Sequence, residues 1–113
     1  MDNKKGDLYY LDKILTNLKF LKEHTFNKTQ SDIENDEVLV DCIMFRLIQI
    51  SENSDKLSDT FKNSNSNLPW REIKGMRNRI VHDYGIINLT IIYDTVKNDI
   101  PEMYDMLNEF IKS

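Results

Sequence analysis

The scarcity of chain-breaking residues is the feature that most limits what this sequence can fold into. Only three glycines and two prolines occur among the 113 residues. A β-sandwich or small β-barrel needs a turn every ~8–12 residues, and such turns draw heavily on glycine and proline. The composition therefore argues against an all-β fold and favours long helices.

Length and composition predict a single globular domain over residues 1–113. Domains cluster near ~100–150 residues, and 40% hydrophobic with 30% charged residues is typical of an ordered chain. The formal net charge is −4. A domain that wraps nucleic acid with its whole surface is usually basic, so any nucleic-acid contact of this chain must be local.

The sequence lacks the signals of a structural metal site and of a membrane span. Cys42 is the single cysteine and only two histidines occur, which leaves too few soft ligands for zinc. No stretch approaches the ~18 continuous apolar residues of a membrane-spanning helix, and charged residues interrupt the N-terminal region where a signal peptide is apolar. We therefore expect a cytoplasmic protein without metal, cofactor or membrane contact.

Apolar residues recur at helical spacing along most of the chain. The first helix is predicted over residues 7–24, followed by a polar loop over residues 25–35. The second helix is predicted over residues 36–62, with Asp36 as its N-cap. Its first half is apolar almost all round, which predicts packing on more than one side, in the middle of a bundle or at a subunit interface.

The second half of the chain predicts two further helices. One runs over residues 69–84, with proline in its first turn and Gly85 as its C-terminal cap. Another begins near Asn88, although propensity alone also allows a strand over residues 86–96, and Pro101 starts or kinks the last helical segment. The prediction is an all-α, antiparallel four-helix bundle with a short C-terminal helical extension.

The segment 69–84 carries the chemistry. Its charge is +2, from four basic and two acidic residues, which is opposite in sign to the whole chain. A local positive surface on an acidic protein suits a phosphate-binding site, and a solvated helix face is the alternative. The six charged residues are Arg71, Glu72, Lys74, Arg77, Arg79 and Asp83.

Helical geometry groups the polar residues of this segment. Asn78 and His82 are four residues apart and share one face, whereas Arg77 and Tyr84 lie on the adjacent face. Arg77 and His82 are about 140° apart around the axis. The two side chains can meet on one ligand if the helix end unwinds, or if a second copy of the helix approaches. The second option predicts a composite site across a two-fold axis.

An arginine, asparagine, histidine and tyrosine together suit RNA cleavage without a metal ion. RNA supplies its own nucleophile, the 2′-hydroxyl, and a histidine such as His82 can accept or donate the proton near neutral pH. Arg77 can hold the phosphate and stabilise the transition-state charge. Asn78 can orient the imidazole, and Tyr84 can contact a phosphate or stack on a base. The alternative for His82 is a cation that stabilises the helix C-terminus.

The same residues resemble a known family. Residues 77–84 read Arg-Asn-Arg-Ile-Val-His-Asp-Tyr, which resembles the HEPN signature of an arginine, four intervening residues and a histidine. The tyrosine two places after the histidine resembles the HepT branch, the toxin halves of HEPN–minimal-nucleotidyltransferase pairs. Pro-Trp-Arg-Glu-Ile over 69–73 and Asn-Asp-Ile-Pro over 98–101 extend the resemblance along the chain.

The resemblance implies an HEPN-like homodimer that acts as a metal-independent endoribonuclease toxin on RNA. Arg77 and His82 match the family's catalytic pair. A cognate minimal nucleotidyltransferase antitoxin is implied to transfer AMP to Tyr84. We further expect supporting or substrate-binding roles for Asn78, Arg79, Lys74 and Glu52, the last at the position of an acidic residue late in the second helix.

Two alternatives stay open at this point. The same basic site could belong to a non-catalytic subunit that binds a nucleotide or docks a minimal nucleotidyltransferase. Glu52 could be an ordinary surface charge. Cleavage of RNA in the presence of a chelator separates the two functions, because only the first predicts it.

Overall fold

The computed structural model describes residues 6–83 and 88–112, and every regular element in this part of the chain is helical. The predicted all-α fold is therefore confirmed. None of the described helices is long and apolar enough to cross a membrane. The helices are α1 (Asp7–His24), α2 (Gln30–Glu34), α3 (Glu37–Asp55), α4 (Asp59–Ser64), α5 (Trp70–Asp83), α6 (Leu89–Asp94) and α7 (Ile100–Lys112).

The apolar stripe of α1 forms one wall of the core. Leu11, Ile14, Leu18 and Leu21 recur at helical spacing and are completely buried. Burying a side chain of this size stabilises the fold by roughly 1.5–3 kcal/mol. The stripe packs against α3 and α7. The helix predicted over residues 7–24 has the bounds that its pattern indicates, although Leu8, the first apolar residue of the pattern, is 70% exposed.

The loop predicted over residues 25–35 contains a helix, and this part of the prediction is wrong. A reciprocal cap starts α2: the Thr29 side chain accepts from the Asp32 N–H at 3.1 Å, and the Asp32 carboxylate accepts from the Thr29 N–H at 2.9 Å. These bonds satisfy two donors that a helix start otherwise leaves open. Ile33 is buried and anchors the short helix to the core.

The helix predicted over residues 36–62 is broken into α3 and α4. Asp36 caps α3 as predicted, accepting from the Leu39 N–H at 3.0 Å. The break lies after α3, where Ser58 caps α4. The backbone N–H and hydroxyl of Ser58 donate to the two carboxylate oxygens of Asp7, at 2.8 and 2.7 Å. A contact with the start of α1 therefore fixes the turn.

α3 lies between α1 and α5, which confirms packing on more than one side. Towards the C-terminus, Asn88 caps α6 by accepting from the Thr90 N–H at 2.8 Å. A π-helical turn over Thr95–Asp99 then joins α6 to α7 without a break. Pro101 lies just after this turn. A proline ring lacks an N–H and clashes with the preceding turn of a regular helix, which explains why the helix is irregular here. The predicted cap Gly85 lies outside the described residues.

Candidate functional site

α5 is held against α3 by one apolar face. Ile80 is completely buried, and Ile73 and Met76 pack beside it on the core. At the start of the helix, the Trp70 indole N–H donates to the Asn65 carbonyl at 3.1 Å. These contacts fix the rotation of α5 about its axis, and therefore which of its polar side chains face α3 and which face outward.

Arg77 lies at the boundary between α5 and α3, where the structure places it beside Glu52. Its Nη2 atom is 3.8 Å from Glu52 Oε2, and its Nη1 donates to Asn78 Oδ1 at 3.3 Å. Both side chains of the ion pair are partly exposed, so the pair contributes little to stability. Its effect is to orient a guanidinium that has five N–H donors and keeps several of them for a phosphate.

His82 lies on the outward face of α5, away from Arg77. The residue is exposed, and the two side chains are about 140° apart around the helix axis. Asn78, expected to orient the imidazole, instead contacts Arg77. An amide oxygen accepts more strongly from a charged guanidinium than from a neutral ring, which is the physical reason for this difference. One copy of the helix therefore does not bring the predicted catalytic pair together.

The remaining predicted residues are distributed around the same helix. Lys74 and Arg79 are exposed on two sides of the outward face. Tyr84 lies outside the described residues. Among the side chains that the structure describes, no group of three or more histidines, cysteines, aspartates or glutamates is placed to hold a metal ion.

An exposed apolar surface lies beside this site. On α3, Phe45 is 56% exposed and Val38 is 74% exposed, and on α5 Val81 is 48% exposed. Phe45 precedes Glu52 by two turns on α3, and Val81 follows Arg77 by one turn on α5. Large apolar side chains grouped on a surface mark a contact with another molecule more often than scattered ones do.

Sequence reasoning missed one further feature of α5. Arg71, Gly75, Asn78 and His82 follow one another at spacings of four, three and four residues, and all four are exposed. This spacing places them on one stripe along the outward face. The spacing is visible in the sequence, but these residues can be recognised as one exposed stripe only when the buried side of the helix is known.

Comparison with known proteins gives a consistent result. The family model described as Ribonuclease HepT-like matches residues 14–110. The protein named "Putative RNase TTE0752" from Caldanaerobacter subterraneus subsp. tengcongensis is 33% identical over 103 residues, which are 91% of this chain and 92% of that protein. "Probable ribonuclease HepT" from Thermococcus cleftensis is 28% identical over 100 residues, 88% of this chain and 91% of that protein.

A longer relative contains the same region as part of its chain. "Gamma-glutamylcyclotransferase and putative RNase MJ0434" from Methanocaldococcus jannaschii is 30% identical over 100 residues, which are 88% of this chain and 45% of that protein. No solved structure matches the chain.

Proposed function

The chain belongs to the HepT-like ribonuclease family, and from that premise we propose that it is a metal-independent endoribonuclease toxin of the cytoplasm. His82 removes the proton from a 2′-hydroxyl of RNA, and the oxygen attacks the neighbouring phosphorus. The bond from phosphorus to the 5′-oxygen breaks, and that oxygen takes a proton from the imidazolium or from water. The products are a 2′,3′-cyclic phosphate and a free 5′-hydroxyl. Arg77 stabilises the negative charge that develops on the phosphate.

The active form is proposed to be a homodimer. Arg77 and His82 face different directions on α5, so one ligand reaches both only if a second copy supplies one of them. Phe45, two turns before Glu52, and Val81, one turn after Arg77, are exposed, and a second copy packed there buries their apolar area. Glu52 then positions Arg77 from within the same copy, through the 3.8 Å ion pair.

Activity is proposed to be controlled by a cognate minimal nucleotidyltransferase antitoxin. In this reaction the Tyr84 hydroxyl oxygen bonds to the α-phosphorus of ATP. The bond between the α- and β-phosphates breaks, pyrophosphate leaves and the hydroxyl proton passes to solvent. The added AMP places a negative phosphate near the basic residues that must hold RNA, which inhibits the ribonuclease by competition and by bulk.

The main support for this mechanism is that Glu52 and Asn78 orient Arg77. The outward face of the same helix exposes His82. The test is incubation of the purified chain with RNA in excess EDTA. We expect cleavage, with 2′,3′-cyclic phosphate and 5′-hydroxyl ends identified by mass spectrometry. Binding of RNA without cleavage favours the non-catalytic docking subunit, and cleavage only with added metal contradicts the mechanism.

A further inference from the structure

Gly75 lies in the middle of α5, where the chain's own packing does not require a glycine. The residue is exposed, and a Cβ built on it meets no atom within 4 Å. Glycine destabilises a helix interior relative to alanine, because it loses more backbone freedom on folding. A glycine here instead leaves the backbone of α5 uncovered, so that another molecule can approach it closely.

The surroundings of Gly75 on the outward face are basic and polar. Arg71 lies one turn before it, and Asn78 and His82 lie one and two turns after it. Lys74 flanks the same stripe. From Arg71 to His82 the stripe is about 16 Å long, at the 1.5 Å rise of an α-helix. It is therefore long enough to hold several consecutive phosphates of an extended strand.

On the flank of α5 opposite to Lys74, the N-terminal half is acidic at Glu72, whereas Arg79 lies two turns later on the same flank. Burial raises the pKa of Asp99, and repulsion from Glu102, Glu72 and Asp94 raises it further. This raised pKa reports a concentration of carboxylates where α5 faces the end of the π-helical turn. A polyanion is repelled from the carboxylates around Glu72 and attracted to the stripe on the outward face.

The charge of the stripe also decides between RNA and a second copy of the chain. Two copies that met at Gly75 across a two-fold axis would bring Arg71 and Lys74 of each close to those of the other. Like charges at such a contact oppose it. If the copies instead meet near His82, the two α5 helices can diverge towards their Arg71 ends. Each copy then exposes its own Arg71 and Lys74.

We infer that the stripe Arg71–Gly75 is a strand-binding extension of the active site. The sugar-phosphate backbone of single-stranded RNA runs from the scissile phosphate at His82 along α5, passes close over Gly75 and places a phosphate on Arg71. This inference rests on the proposed function, because it assumes that RNA is the substrate. It predicts that RNA binding depends on nucleotides beyond the cleaved bond.

The test uses His82→Ala as the parent, so that RNA is bound without being cleaved. Fluorescence anisotropy measures binding of oligouridine of about 16 nucleotides and of a uridine dinucleotide, which is too short to reach from His82 to Gly75, at several salt concentrations. We expect Arg71→Gln to weaken binding of the long RNA and to reduce the slope of log K against log salt by about 0.7, the value for one single-stranded phosphate. Lys19→Gln, an exposed charge on α1, is the matched control and changes neither quantity.

Two variants of Gly75 complete the experiment. Gly75→Ala should melt at a higher temperature yet bind the long RNA more weakly, because the added methyl stabilises the helix and obstructs the strand. Gly75→Leu should weaken binding further, and the short RNA should be unaffected. The inference is wrong if both Gly75 variants bind RNA as tightly as the parent. It is also wrong if the only effect of the Gly75 substitutions is that the dimer dissociates. If the parent binds no RNA at all, the proposed function itself fails.

Discussion

His82→Ala should abolish RNA cleavage and leave the fold intact. In the proposed mechanism the imidazole accepts the 2′-hydroxyl proton, and loss of a positioned acid–base group typically lowers the rate by ~10²–10⁴-fold. The side chain is exposed, so its removal takes nothing from the core. Arg77→Ala should cause a comparable loss through the phosphate, and Arg77→Lys should recover only part of it, because lysine lacks the planar fork.

The measurement is the single-turnover cleavage rate in EDTA, with a thermal melt of each variant. His24→Ala is the matched control. The His24 ring is also exposed, but it lies on α1. Its centroid is 3.9 Å from that of the stacked Phe20 ring, and its Nδ1 lies 2.9 Å from the Phe20 carbonyl oxygen. We expect its loss to leave cleavage unchanged. Cleavage retained by His82→Ala in EDTA would eliminate the mechanism.

Tyr84→Phe should leave the ribonuclease active but free it from its antitoxin. The phenol oxygen is the atom to which we propose that AMP is attached, and phenylalanine keeps the ring without that nucleophile. Co-expression with the cognate nucleotidyltransferase should add an AMP-sized mass to the wild-type chain and nothing to Tyr84→Phe. Growth should stop only with the variant, because its basic residues remain available to RNA.

A second tyrosine provides the control for this experiment. Tyr9 is 42% exposed on α1, and Tyr9→Phe should still take up AMP and still be neutralised. If the antitoxin neutralises Tyr84→Phe and no adduct forms, then occlusion by the partner, rather than modification, controls the toxin. An adduct on Tyr84→Phe would show that another residue is the acceptor.

The helices with regular apolar spacing could be predicted from the sequence. The predicted α1 has the observed bounds, and the prediction for α5 agrees over the described residues 70–83. The break between α3 and α4 could not be predicted, because it depends on Asp7 and Ser58, which are 51 residues apart. Local pattern carries no information about such a contact.

The sequence named the candidate site residues, but it could not give their arrangement. The motif and its resemblance pointed to Arg77 and His82, and to Glu52 on another helix. The ion pair between Arg77 and Glu52 depends on how α5 is rotated against α3, which the packing of Ile80 decides. In the same arrangement Arg77 donates a hydrogen bond to the Asn78 amide. The spacing of the two residues along one helix did not predict this bond.

We propose that two copies of the chain build one ribonuclease site from Arg77 of one and His82 of the other. Mixing the inactive Arg77→Ala and His82→Ala variants tests it directly, after subunit exchange and in EDTA. Each mixed dimer then contains one complete site, so random exchange should restore about a quarter of wild-type activity, whereas each variant alone stays inactive. No recovery, in a mixture shown by mass spectrometry to contain mixed dimers, would contradict the composite site.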